Sequence, residues 1–386
     1  MVRTEPLKFK YRKTLPKSLA ERLTLWLISL AWLSLALGVG YAAPEIERPG
    51  LARPLTVRWR YASSETVNLT PAVKGERIYM PLAGGALVAL QAKDGALLWK
   101  NDSGGEISCA PEADDKAVYV ASEAGGEAAH AASRGLVRAI SRETGITLWV
   151  RALQTPLYGL LVANEAAVFG ISETGQVYAL DKNKGEILWS AQAAPTLSSE
   201  LTLSGNRLYV GSKEGLLLAL DIANGHIIWR FQAQGSIRGH LWVVADTLYG
   251  STASGQVYAL NKSSGALQWK RQAGPGVQAV TVNADHAYVA SADNSLYLLH
   301  TLTGKRIWRQ QLSSRVAAMP LAAPEGVLLT AIAGNLATVL NPRDGKLVNT
   351  LSLGDDGSTG AAPVFAQDMV LITGRKGLLA FANPGK

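Results

Sequence analysis

Ala179-Leu180-Asp181-Lys182-Asn183-Lys184-Gly185-Glu186-Ile187-Leu188-Trp189 is the stretch that decides the fold. It opens on a small apolar residue, carries a glycine in seventh place and closes on a tryptophan. The phrase recurs as Ala89…Gly95…Trp99, Ala139…Gly145…Trp149, Ala219…Gly225…Trp229 and Ala259…Gly265…Trp269. It weakens to Leu298…Gly304…Trp308 and then to Val339…Gly345…Asn349. An eighth copy begins at Ala380-Phe381 and stops at Lys386. Successive tryptophans from Trp99 are 50, 40, 40, 40 and 39 residues apart. A fixed period of that length marks a repeat architecture.

A second mark lies about 20 residues before the end of each phrase. It is an apolar pair ending in an aromatic: Ile78-Tyr79, Val118-Tyr119, Val168-Phe169, Leu208-Tyr209, Leu248-Tyr249 and Ala287-Tyr288. The last two copies keep aliphatics only, Val327-Leu328 and Met369-Val370. Between the marks, short β-branched and aromatic runs alternate with Gly, Asn, Asp and Ser turns, which is a strand pattern. Four short strands in each period predict an all-β propeller blade and exclude a solenoid of helix pairs.

Eight marks of each kind predict eight blades. The eighth phrase lacks its Trp strand, while Trp59, in Thr56-Val57-Arg58-Trp59, precedes the first mark and has no blade of its own. Residues 57–60 are therefore expected to form the outer strand of the last blade, closing the ring over residues 57–386. Trp59, Trp99, Trp149, Trp189, Trp229, Trp269 and Trp308 are read as structural docking residues that reach the neighbouring blade. The alanine makes room for the indole and the glycine permits the tight turn. Asn349 replaces the tryptophan in the seventh copy, so that seam is expected to be the weakest.

The chain has 386 residues and a net charge of +8, but residues 1–22 alone carry +5. The basic balance belongs to a tail rather than to the folded part, which argues against a nucleic-acid surface. Leu23 to Ala43 holds no charge over 21 residues, enough for a helix across the roughly 30 Å hydrocarbon core. The basic flank would stay in the cytoplasm and everything after Ala43 would lie outside. Two readings stand: an uncleaved anchor, or a signal peptide cut after Ala42, where Gly40 and Ala42 supply small residues. Residues 44–56, with Pro44, Pro49, Gly50 and Pro54, read as an extended linker.

Cys109 is the only cysteine, so an intramolecular disulfide and a cysteine zinc site are excluded. It follows Ile107-Ser108 in an expected strand and reads as a buried, inert thiol. His130, His226, His240, His286 and His300 show no metal spacing, and no nucleophile elbow or phosphate loop is present. Asp181-Lys-Asn183-Lys-Gly185 has oxygen ligands at alternate positions but lacks the rest of a calcium loop, and reads as a hairpin turn. Neither a catalytic set nor a cofactor site emerges. The second blade carries ten extra residues, within 123–134, that extend one rim loop.

The repeated Ala-Leu-Asp-x-x-x-Gly-x-x-x-Trp phrase resembles the tryptophan-docking repeat of pyrroloquinoline-quinone (PQQ) type propellers. The resemblance covers residues 57–386 and is closest to the BamB family of outer-membrane protein assembly factors. Membership implies a non-catalytic, eight-bladed scaffold that binds the barrel-insertase protein, acting as a monomer within that complex. The alternative branch, the PQQ-dependent alcohol and glucose dehydrogenases, implies a vicinal cysteine pair and a Ca²⁺ set, and one cysteine cannot supply the pair. A ligand-sensing ectodomain is a third possibility, because fold does not decide function.

In the assembly family an apolar-Arg-Gly segment after a docking tryptophan contacts the partner. Ser236-Ile237-Arg238-Gly239, following Trp229, is similar, so the resemblance implies Ile237 and Arg238 as partner-binding residues. Two features depart from the family: Gly274-Pro275-Gly276-Val277-Gln278 stands where it carries an acidic pair, and no lipid-anchor cysteine precedes Cys109. The expected location is the cell envelope, with the propeller in the periplasm, held at the inner membrane by residues 23–43 or released from it.

Overall fold

A computed structural model describes residues 48–125, 134–316, 318–332 and 334–384. The basic tail, the apolar segment 23–43 and most of the blade-2 insertion (126–133) lie outside them. Among the described residues no helix is long and apolar enough to cross a membrane.

Eight sheets of four antiparallel strands follow one another along the chain, and the third takes up one extra strand. The protein is an all-β, eight-bladed propeller, as the repeats predict. Blade 4 shows the plan, with strands Thr202–Ser204, Arg207–Gly211, Leu216–Asp221 and Ile227–Gln232. The middle strands read as apolar runs because both faces meet neighbouring blades. The outer strand alternates, with Trp229 buried and Ile228 and Arg230 exposed. At the turn between the last two strands the Asp221 carboxylate accepts the Ala223 N–H at 2.7 Å, and Gly225 takes φ +71°. Asp and Gly suit that turn because one satisfies the backbone and the other tolerates the left-handed region.

The ring closes through the chain ends. Thr56–Ala62 pairs antiparallel with Gly377–Ala382, which places Trp59 opposite Ala380. The strand predicted over 57–60 thus completes blade 8, extended by one residue before and two after.

In blades 1 to 5 the two sequence marks meet in one row across three strands. Tyr209 faces Ala219 and Ala219 faces Trp229. The small central residue lets the flanking rings approach, with centroids 6.0 Å apart. The same row recurs as Tyr79–Ala89–Trp99, Tyr119–Ala139–Trp149, Phe169–Ala179–Trp189 and Tyr249–Ala259–Trp269.

Each docking indole is anchored to the following blade. Its N–H donates to a carbonyl in that blade's last turn: Trp59 to Ala92, Trp99 to Arg142, Trp149 to Lys182 and Trp189 to Ile222. Trp229, Trp269 and Trp308 do the same with Lys262, Thr301 and Pro342, and all seven bonds span 2.7–3.1 Å. The ring also lies flat on the turn glycine. A Cβ added to Gly95 would sit 2.5 Å from the Trp59 ring. The glycine therefore does two things: it turns the chain at φ +73°, and it leaves the indole a floor.

The seam without a tryptophan is filled from elsewhere. Leu51 is fully buried and Leu55 nearly so, among Leu328, Val339, Val370 and Phe381 of blades 7 and 8. The Leu51 N–H donates to Glu325 at 2.9 Å, and Gly50 is bonded both ways to the Asn383 side chain. The end of the stretch read as an extended linker is therefore packed into the propeller, where it stands in for the missing indole.

Candidate partner-binding site

The structure separates the two residues that the resemblance singles out. Ile237 and Arg238 open the inner strand of blade 5, Ile237–Val244. The Ile237 side chain is completely buried with Leu217, Trp229 and Leu241, and a Cβ on Gly211 of blade 4 would strike it. The Ile237 side chain thus packs the blade 4–5 seam rather than the surface. Arg238, one residue on, is exposed. Adjacent strand residues point to opposite faces, so one buried and one free side chain is the expected outcome.

What presents Arg238 is a bulge. Arg238 pairs with Ser251 and Trp242 with Tyr249, so Gly239, His240 and Leu241 oppose a single residue, Gly250. Gly239 takes φ +73° with open space around it, so the backbone and not crowding requires glycine there. Bulges re-aim side chains and end regular pairing.

The bulge is braced across three blades. Gly239 makes a parallel bridge to Ser199 of blade 4, and its carbonyl accepts the Glu200 N–H at 3.0 Å. Ser198 Oγ donates to the Ile237 carbonyl at 2.7 Å. His240 Nδ1 lies 2.9 Å from Glu200 Oε2. The His240 ring meets Trp242 edge-on at 4.8 Å, and the Trp242 indole N–H donates to Val280 of blade 6 at 2.8 Å. The braced backbone fixes where the arginine side chain starts, so only its rotamers remain to be ordered on binding, and its planar fork suits carboxylates.

Glu200, His240 and Trp242 were not reached from the sequence. A signal existed: Glu200, His240 and Val280 occupy the same place in consecutive 40-residue repeats, and Trp242 lies outside the docking series. Among the described residues no group of three His, Cys, Asp or Glu side chains is placed to hold a metal. Cys109 is buried in the short strand Cys109–Ala110, and burial pushes its thiol well above the ordinary range.

The family profile described as "Outer membrane protein assembly factor BamB" matches residues 55–135, 133–251 and 234–385. The chain belongs to the BamB family. No curated protein matches it. Among solved structures it is similar to BamB from Moraxella catarrhalis, with a TM-score of 0.71 and 17% identity, covering 86% of this chain and 99% of that one. The computationally designed Ika8 protein gives 0.72 at 16% identity, covering 85% and 99%. Quinohemoprotein alcohol dehydrogenase from Comamonas testosteroni gives 0.68 at 13%, covering 87% of this chain and 77% of that one. At these identities the structural likenesses concern the fold alone. BamB membership rests on the profile, which spans nearly the whole propeller.

Proposed function

We propose that this BamB-family propeller is a non-catalytic scaffold that binds a protein partner in outer-membrane protein assembly, in the periplasm, as a monomer within that complex. The observation that carries the reading is Arg238: a free cation held on a bulge that three blades support, at the place where the family resemblance implies a partner contact. Arginine at a partly desolvated contact is a frequent binding hot spot. Residues 23–43 would hold the protein at the inner membrane or be removed on export. The quinoprotein alternative resembles this chain in fold, but its vicinal cysteine pair cannot be built from Cys109 alone.

The test is capture of the barrel-insertase by the full-length protein, with Arg238→Glu as the variant. Recovery should fall by roughly tenfold or more, the scale of one lost hot spot, while the melting temperature stays put. Failure of the unaltered protein to capture any insertase component would sink the proposal. Tight PQQ and Ca²⁺ binding with dye-linked alcohol oxidation would favour the enzyme branch instead.

A further inference from the structure

On the third strand of each blade, one residue before the position that faces the docking residue, a side chain points into the seam with the preceding blade. Tyr178, Tyr258 and Tyr297 hold this place in blades 3, 5 and 6, next to Ala179, Ala259 and Leu298. All three rings are buried, among clusters that contain Trp149, Trp229 and Trp269 of the blade before. Two of the hydroxyls are bonded near the mouth of the seam. Tyr258 Oη accepts the Gln234 N–H at 2.9 Å, and Tyr297 Oη donates to Asp293 at 2.7 Å.

Thr338 holds the same place in blade 7, next to Val339. Its side chain ends where the tyrosines begin their rings. Behind it lies a cleft of about 330 Å³ between blades 6 and 7. Leu312, Val316, Leu329 and Leu340 form its apolar wall, and Gln311 and Asn335 supply amides. Val88 of blade 1 is as short as Thr338, but it is joined in its seam by Met80, its cross-strand partner, and by Leu82. In blade 7 the cross-strand partner of Thr338 is Leu329, and the space stays open.

We infer that the blade 6–7 cleft is a binding site for a neutral phenolic ring. The fold itself places a phenol at the equivalent point of three other seams, so the cavity lies where a ring is accommodated elsewhere, with the Asn335 and Gln311 amides among its polar lining. Its volume is at the lower end of the roughly 300–1,000 Å³ of small-molecule pockets, which suits one ring and not a large cofactor. None of the described lining residues is ionisable. A charged group carried against the apolar wall of Leu312, Val316, Leu329 and Leu340 would lose hydration with no counter-charge among the described lining residues. The site is distinct from the Arg238 bulge and does not depend on the proposed scaffold role.

The test is calorimetric titration of the full-length protein with p-cresol, with 4-hydroxybenzoate as the charged counterpart. Saturable p-cresol binding, at least roughly tenfold tighter than that of 4-hydroxybenzoate, is expected. Thr338→Tyr should fill the cleft, abolish p-cresol binding and raise the melting temperature. Leu336→Arg, at an exposed point of the wall, places a charge at the cleft without touching the core, and should also abolish binding. It keeps the test decisive if Thr338→Tyr fails to fold. Absence of p-cresol binding, equal binding of 4-hydroxybenzoate, or undiminished binding by Leu336→Arg would each overturn the inference. The peptide Ac-Ala-Tyr-Ala-NH₂ separates the sources of the ring: binding tighter than p-cresol assigns the site to a protein's tyrosine, and weaker binding to a free phenol.

Discussion

Asn349 donates its side-chain amide to the carbonyls of Leu51, at 3.0 Å, and Arg53, at 2.6 Å, so the one seam without an indole is closed by chain that precedes the first strand. Seven seams are pinned by an aromatic ring on a glycine floor, and the eighth by a leucine and a backbone strap.

That exchange predicts the effect of removing the leucine. Leu51→Ala should destabilise the propeller by about 2–5 kcal/mol, the usual cost of truncating a fully buried leucine. Urea unfolding measures it. A change below about 0.5 kcal/mol, typical of surface sites, would mean that the segment behaves as a free linker.

The docking role predicts a contrast within one strand. Trp229→Ala should cost about 3–5 kcal/mol, because a buried indole and its hydrogen bond to Lys262 go together. Ile228→Ala, its exposed neighbour, should stay within about 0.5 kcal/mol. Gly265→Ala attacks the same contact from below, since the new Cβ would meet the Trp229 ring at 2.7 Å and φ is +72°. Similar losses for Trp229→Ala and Ile228→Ala would remove the indole's special standing.

Blade 2 predicts a pH dependence. Burial, with the nearby Asp114 charge second, raises the Glu112 carboxyl to about 7 from an ordinary 4.5. Between those values the folded protein holds a proton that the unfolded chain has released. Stability due to this group is therefore full below pH 4.5 and declines as pH rises to about 7, by at most about 3 kcal/mol. Glu112→Gln should flatten that part of the stability–pH curve and be the more stable form at pH 8. Parallel curves for the two proteins would show that Glu112 titrates normally.

Cys109 predicts slow chemistry. Complete burial keeps the thiol protonated, and the thiolate is the reactive species. Labelling by a water-soluble disulfide reagent should become rapid only on unfolding. Fast labelling of the native protein would show a seam that opens.

Much of the architecture was legible because each blade repeats one local rule. The Ala-Gly-Trp phrase encodes a strand, a turn and a strand, and its eight copies leave a ring as the natural way to cover every blade face. Even the join of Trp59 with Ala380 followed, since one phrase lacked its end and one strand lacked its beginning. The second function of the glycine, as the floor beneath the previous blade's indole, was hidden because it is a contact between repeats.

Of the proposed contact, Arg238 could be singled out from its neighbours in sequence, but its support could not. Glu200 and His240 are 40 residues apart and meet only because blades 4 and 5 lie side by side, joined there by the Ser199–Gly239 bridge. Whether Ile237 was free or buried depended on Gly211 of the neighbouring blade.

The amino-acid sequence alone therefore determined the period, the number of blades and the partner of the first strand, all of which follow from spacing along the chain. Tertiary structure alone decided that Leu51 fills the last seam, that Glu200 braces His240, and that Thr338 leaves a space where other blades place a phenol. Those outcomes depend on shape complementarity between residues far apart in the chain, and periodicity carries no information about the volume left between two packed surfaces.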